Sequence, residues 1–126
     1  MTIRGACLCG AVRLRIEGEL PDPWVCHCGQ CRKQTGHYLA SIEVPRACVA
    51  FKGLDAVGRY HASKRAERGF CRTCGSSLYW RLEGAETIWI AMGLFDEISG
   101  LHLTRHVHLA DKGDYYDLPE AAGESR

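Results

Sequence analysis

The sequence predicts a small, mainly β domain organised around metal-binding cysteines. Three observations lead there. Short apolar stretches alternate with polar residues and are separated by turn residues at close intervals. No amphipathic run is long enough for a helical bundle. Eight cysteines occur in 126 residues, and seven of them fall into three tight clusters.

Along the chain, Val12, Leu14 and Ile16 alternate with Arg13, Arg15 and Glu17, the pattern of a half-buried strand. Residues 18–22, with Pro21 and Pro23 close by, predict a loop. Residues 26–36 are polar and cysteine-rich, with room for one helical turn after Cys31. Residues 38–44 predict a strand ending at Pro45, and residues 48–51 a short buried strand before a turn at Gly53. Residues 57–60 predict a further strand and 62–69 a charged loop. Residues 78–82 and 87–92 are aromatic and β-branched around Glu83-Gly84-Ala85-Glu86, which predicts a hairpin with Phe70, Tyr79, Trp80 and Trp89 as core aromatics. His102-Leu103 and residues 106–109 are candidate edge strands. Residues 111–116 predict a polar, aromatic loop, and 118–126 a loose tail. The length suits one domain, 1–126, with a core over about 5–118.

Composition excludes several classes. The chain is 46% hydrophobic and 25% charged, which excludes wholesale disorder. Sixteen basic residues against fifteen acidic leave a formal charge of +1, so no nucleic-acid or anionic-membrane partner is expected. No stretch has the roughly 18 apolar residues of a membrane span. Met1 is followed by polar residues rather than an apolar leader, which predicts a cytoplasmic chain with reduced cysteines over a secreted disulfide framework. Exposed edge strands would permit a homodimer.

The clusters are Cys7-x-Cys9, Cys26-x-Cys28-x-x-Cys31 and Cys71-x-x-Cys74. Thiolates suit Zn²⁺, and each spacing lets neighbouring sulfurs reach one ion. Gly10 and Gly75 follow two of the clusters directly and free the backbone to turn. Two pairs make one complete set of four: Cys7, Cys9, Cys71 and Cys74. The trio cannot join a pair without making five ligands, so Cys26, Cys28 and Cys31 predict a separate site with an open fourth position. A closed set is structural and an open one is catalytic in zinc proteins, giving two Zn²⁺ per chain. Iron–sulfur ligation remains an alternative for a set of four. Cys48 stands alone in an apolar run and is read as a small hydrophobe.

These motifs resemble the family of glutathione-dependent formaldehyde-activating enzymes, the Gfa or centromere protein V type of domain. The matching stretches, in order, begin with Gly5-Ala6-Cys7-Leu8-Cys9-Gly10-Ala11-Val12 and Cys26-His27-Cys28-Gly29-Gln30-Cys31-Arg32-Lys33. The third runs from Arg68 through Cys71-Arg72-Thr73-Cys74-Gly75 to Trp80. The last runs from His106 through Lys112 to Asp117, with Tyr115 where the family commonly has Trp. The resemblance implies a β-tent of stacked antiparallel sheets, the same zinc partition, and a carbon–sulfur lyase that joins glutathione and formaldehyde. Such chemistry would activate a thiol at the open position. His27, between two ligands, would serve as a hydrogen-bonding partner rather than a general acid; His37 and His106 are further candidates. Lys112 with Tyr115, and one of Arg32, Lys33, Lys64, Arg65 and Arg68, could meet a substrate carboxylate. The competing reading is a non-catalytic zinc-binding interaction module or thiol carrier.

Overall fold

The computed structural model describes residues 1–97 and 99–118. Two sheets carry the fold. Strands β1 (Thr2–Ala6), β2 (Arg13–Glu17) and β5 (Val49–Lys52) form a three-stranded antiparallel sheet in the order β1-β2-β5. The second sheet has seven strands. These are β3 (Trp24–Cys26), β4 (Leu39–Pro45), β6 (Val57–His61), β7 (Ala66–Cys71), β8 (Ser77–Leu82), β9 (Thr87–Ala91) and β10 (Arg105–Val107), ordered β10-β3-β4-β9-β8-β7-β6. Among the described residues a single α-helix, α1 (Gly29–Thr35), follows β3.

The mainly β class holds, with stacked sheets around one apolar cluster. Ile3, Leu14 and Ile16 of the small sheet meet Ile42, Val44, Leu78, Ile88 and Ile90 of the large one. In β2 the sequence alternation is realised residue by residue: Leu14 and Ile16 point inward, Arg13, Arg15 and Glu17 outward. The 78–82 and 87–92 segments pair as β8 and β9. Of the four aromatics read as core, only Tyr79 is fully buried; Phe70, Trp80 and Trp89 are half-buried.

Several sequence expectations are corrected. Only residues 62–65 of the expected 62–69 loop are one: Ala66–Cys71 is β7, paired on both sides by β6 and β8 and buried along most of its length. Charge argued for solvent, but the two charged side chains have partners inside. Cys48 does not sit in a strand; it ends a 3-10 turn over Arg46–Cys48 and is half-buried. Helix α1 begins before Cys31, capped by Cys28, and ends at Gly36 in the left-handed conformation. His102-Leu103 forms no strand. Arg105–Val107 does, but it runs parallel to β3, the one parallel pairing among the named strands. The 118–126 tail lies, beyond Leu118, outside the described residues.

Successive residues of a strand face opposite sides of the sheet, so the two neighbours Glu67 and Arg68 part company. Glu67, 7% exposed, accepts from Tyr79 Oη at 2.6 Å and from Arg81 Nε at 3.0 Å, with Arg59 Nε at 3.7 Å. Burial alone would raise its pKa, but the Arg81 and Tyr79 hydrogen bonds win and hold it below the usual carboxylate value. A depressed pKa gives stability that is present above pH 4.5 or so and lost as pH falls through the folded value. Glu67→Gln is therefore expected to lower stability at pH 7 by roughly 1–2 kcal/mol, a figure reduced by solvent around Arg59. The gap between the variant and the parent should shrink in denaturant melts as pH falls below about 4. A constant gap from pH 7 to pH 3 would show that the loss comes from packing instead.

Candidate functional site

Backbone turns assemble the first cysteine cluster. After β1, Gly10 takes a left-handed conformation (φ 81°) and its N–H donates to Cys7 O at 3.1 Å. After β7, Gly75 does the same (φ 82°), donating to Cys71 O at 2.8 Å. Two matched knuckles thus present Cys7 and Cys9 to Cys71 and Cys74, and the four sulfurs lie within 4.8 Å of one another. Cys7 and Cys71 are buried; Cys9 is exposed. Amide and hydroxyl donors turn toward the sulfurs. Val12 N–H donates to Cys7 Sγ at 3.3 Å, and Ser76 Oγ lies 3.2 Å from Cys74 Sγ. The Ser76 contact is the main reason the Cys74 thiol titrates low, at about 5.

The sulfur spacing tests the fit of a metal. A tetrahedral ion with Zn–S arms of ~2.3 Å has S···S edges of roughly 3.8 Å. Cys7 and Cys9 stand 3.6 Å apart, and Cys9 and Cys71 stand 3.8 Å apart. A disulfide would need ~2 Å, and all eight cysteines are free. The four-thiol set therefore fits one tetrahedral thiophilic ion.

The second cluster is local. Cys26 ends β3, Cys28 caps α1 and Cys31 lies in its first turn. Cys28 Sγ accepts from Cys31 N–H at 3.4 Å, and the three sulfurs lie within 4.8 Å of one another. Among the described residues no fourth Cys, His, Asp or Glu joins them, and Cys48 belongs to neither set. The Cys31 thiol is lowered to about 5, first by hydrogen bonding with Cys26 and then by Arg68, against the effect of burial. Cys26 is pushed up, chiefly by the same contact with Cys31.

His27 does not turn toward the sulfurs. It is 1% exposed, with Nδ1 2.5 Å from Tyr116 Oη and Nε2 3.0 Å from His106 Nδ1. Burial, then His106 and Lys112, lower its pKa to about 4, so the ring is neutral near pH 7. The parallel pairing of β10 on β3 places His106 for this contact. Tyr116, not Tyr115, is the tyrosine that meets His27. Tyr115 is 58% exposed and donates to Gly36 O at 3.1 Å. Lys112 is turned into its own loop, donating to Gly113 O at 2.8 Å and to Tyr116 O, with Nζ 4.4 Å from the Tyr116 ring. His37 is exposed and stacks on Tyr38 at 4.2 Å. Only a hydrogen-bond-capable ring in 106–116 could have pointed to Tyr116, and of the two adjacent tyrosines the family resemblance singled out Tyr115.

Of the five candidate cations, Lys33, Lys64 and Arg65 are exposed, Arg32 is half-buried, and Arg68 is buried. Arg68 and Lys33 line an open cleft of about 490 Å³ with Gln30, Gln34, Tyr60 and Phe70, and no acidic side chain lines it. No helix among the described residues is long and apolar enough to cross a membrane.

Comparison with known proteins follows the same lines. A family model described as glutathione-dependent formaldehyde-activating enzyme matches residues 2–111. An uncharacterized lyase of Schizosaccharomyces pombe is 34% identical over 118 residues, covering 90% of this chain and 83% of that protein. A Halomonas elongata protein, provisionally named a glutathione-dependent formaldehyde-activating enzyme, is 32% identical over 87 residues; the match covers 63% of this chain and 55% of the relative. Among solved structures, a Rhodobacter sphaeroides protein shares the fold with a TM-score of 0.65 at 22% identity, covering 78% of this chain and 92% of that one.

Proposed function

Because the chain belongs to the glutathione-dependent formaldehyde-activating enzyme family, we propose that it is a carbon–sulfur lyase. Its substrate would be the adduct of a small thiol such as glutathione with an aldehyde such as formaldehyde. In the synthetic direction, the reverse of lyase cleavage, a sulfur–carbon bond forms and the thiol proton ends on the former carbonyl oxygen.

The observation that carries this reading is the inequality of the two cysteine clusters. Four thiols close a tetrahedron; three leave a corner for a ligand from outside. Cys7, Cys9, Cys71 and Cys74 would hold a structural zinc, and Cys26, Cys28 and Cys31 a second zinc with an open position. When bound there, zinc would deprotonate an incoming thiol and keep it nucleophilic. The chain's own groups do the rest. Lys33, exposed at an acid-free cleft beside α1, suits a substrate carboxylate. His27, neutral and held at both nitrogens, fixes the backbone between Cys26 and Cys28 and so the direction of their sulfurs. Residues 1–126 would form one domain of this type, and reduced thiols in both clusters suit a cytoplasmic setting.

The test is spectroscopic and then chemical. In Co²⁺-substituted protein, glutathione is expected to perturb the thiolate charge-transfer bands, and the protein should accelerate formation of the glutathione–formaldehyde adduct. Unchanged bands with every small thiol tried at millimolar concentration would overturn thiol activation.

A further inference from the structure

Strand β7 carries a buried positive charge that the proposed reaction does not use. Arg68 is 5% exposed. Its Nη1 donates to Gln34 Oε1 at 2.8 Å, and its Nη2 donates to Gln30 Oε1 at 3.2 Å and to Cys31 Sγ at 3.5 Å. Its Nε is buried without a hydrogen-bond partner. Among the described residues no carboxylate lies within ion-pair distance of it. Glu67 is adjacent in sequence but faces the other side of the sheet, committed to Tyr79 and Arg81.

An arginine keeps its charge in proteins, and a buried charge without a counter-charge is strongly unfavourable. Two glutamine oxygens offer dipoles, not charge. Within the protein, the three-thiol cluster is the nearby group able to carry negative charge, and Arg68 meets it at Cys31 Sγ. With Cys31 alone ionised the set carries −1 without an ion, and with all three sulfurs ionised and no ion it carries −3. A divalent ion on three thiolates carries −1, which matches one guanidinium.

We infer that Arg68 is a positioning residue: through Cys31 its charge balances a divalent ion held by Cys26, Cys28 and Cys31, and so sets that cluster's affinity for the ion. The inference rests on reading this cluster as a metal site. It also ties the two clusters mechanically, because the strand that places Arg68 against Cys31 ends at Cys71 of the four-thiol set.

The experiment compares Arg68→Gln and Arg68→Lys with the parent by native mass spectrometry during chelator titration. The first ion, in the four-thiol set, serves as an internal control for folding. Arg68→Gln is expected to lose the second ion at about 10–100-fold lower chelator concentration, with the first ion unchanged. Arg68→Lys, which keeps the charge but not the fork, should hold it within about tenfold of the parent. Equal retention of the second ion in Arg68→Gln would overturn the inference, as would Arg68→Lys being as weak as Arg68→Gln. If the glutamine variant fails to fold, the lysine variant decides alone. Retention of the second ion within tenfold supports charge balance; its loss with the first ion kept overturns it. A parent protein that binds one ion at saturating zinc would overturn the reading of the cluster itself, and the inference with it.

Discussion

Cys71→Ser is expected to abolish cooperative unfolding. Cys71 is fully buried at the end of β7, with its sulfur 3.8 Å from that of Cys9. The four-thiol set joins the β1–β2 connection to the β7–β8 connection, and so fastens the small sheet to the large one. Serine offers a poor ligand at that corner and leaves three sulfurs. Structural zinc contributes roughly 10–16 kcal/mol in small metal-dependent folds. A domain of this size has a net stability of only about 5–15 kcal/mol. Losing a large part of the first is comparable to the whole of the second. Circular dichroism melts should show no sigmoidal transition, and hydrogen exchange should lose its slow amides. A variant that melts within a few degrees of the parent would mean that the set holds no structural ion.

Cys28→Ser should do the opposite: keep the fold and remove the reaction. Cys28 caps α1, and serine is itself a favoured cap, so the helix start is preserved. The expected change in melting is small. Removing one of three ligands should lower the rate of adduct formation by more than about 100-fold, beyond what loss of an outer partner does. Native mass spectrometry should show the first ion retained and the second lost. If Cys28→Ser and Cys71→Ser collapse equally, both clusters are structural, and the chain is better understood as an interaction module.

The cysteine pattern was legible because metal ligation imposes short, fixed spacings that survive in a linear sequence. Cys26, Cys28 and Cys31 lie within one strand end and one helical turn, and the pairs 7/9 and 71/74 within single knuckles. The alternation of β2 was legible for a similar reason: one face is wet and the other dry. What failed was context. Strand β7 reads as a charged loop because Glu67 and Arg68 look solvated; Tyr79 and Arg81 across the sheet, and Gln30, Gln34 and Cys31 of α1, supply the partners that let them be buried. Strand β3 is three residues long, too short for any periodicity, and β10 exists because β3 offers it a parallel edge. The choice of Tyr116 over Tyr115 depends on where His27 ends up, which is a tertiary fact. Cys48 looked buried because its neighbours are apolar, yet the chain bends there and Ala47 and Ala50 face solvent.

The two clusters also differ in how far apart their members lie along the chain. Cys9 and Cys71 are separated by 62 positions. The three-thiol set spans the five steps from Cys26 to Cys31. Each doubling of a flexible loop adds about 0.6 kcal/mol of closure entropy, so closing the longer one costs roughly 2 kcal/mol more. Non-local closure is also slow, because the intervening strands must be brought into register first. If both sets bind ions, the short set would be the first to capture one in an unfolded or nascent chain, before any sheet exists. The long set captures one only as the sheets come together. Refolding with zinc added before dilution from denaturant should accordingly differ in rate from refolding with zinc added after. The order in which the two metals arrive would then become part of how this chain finds its fold.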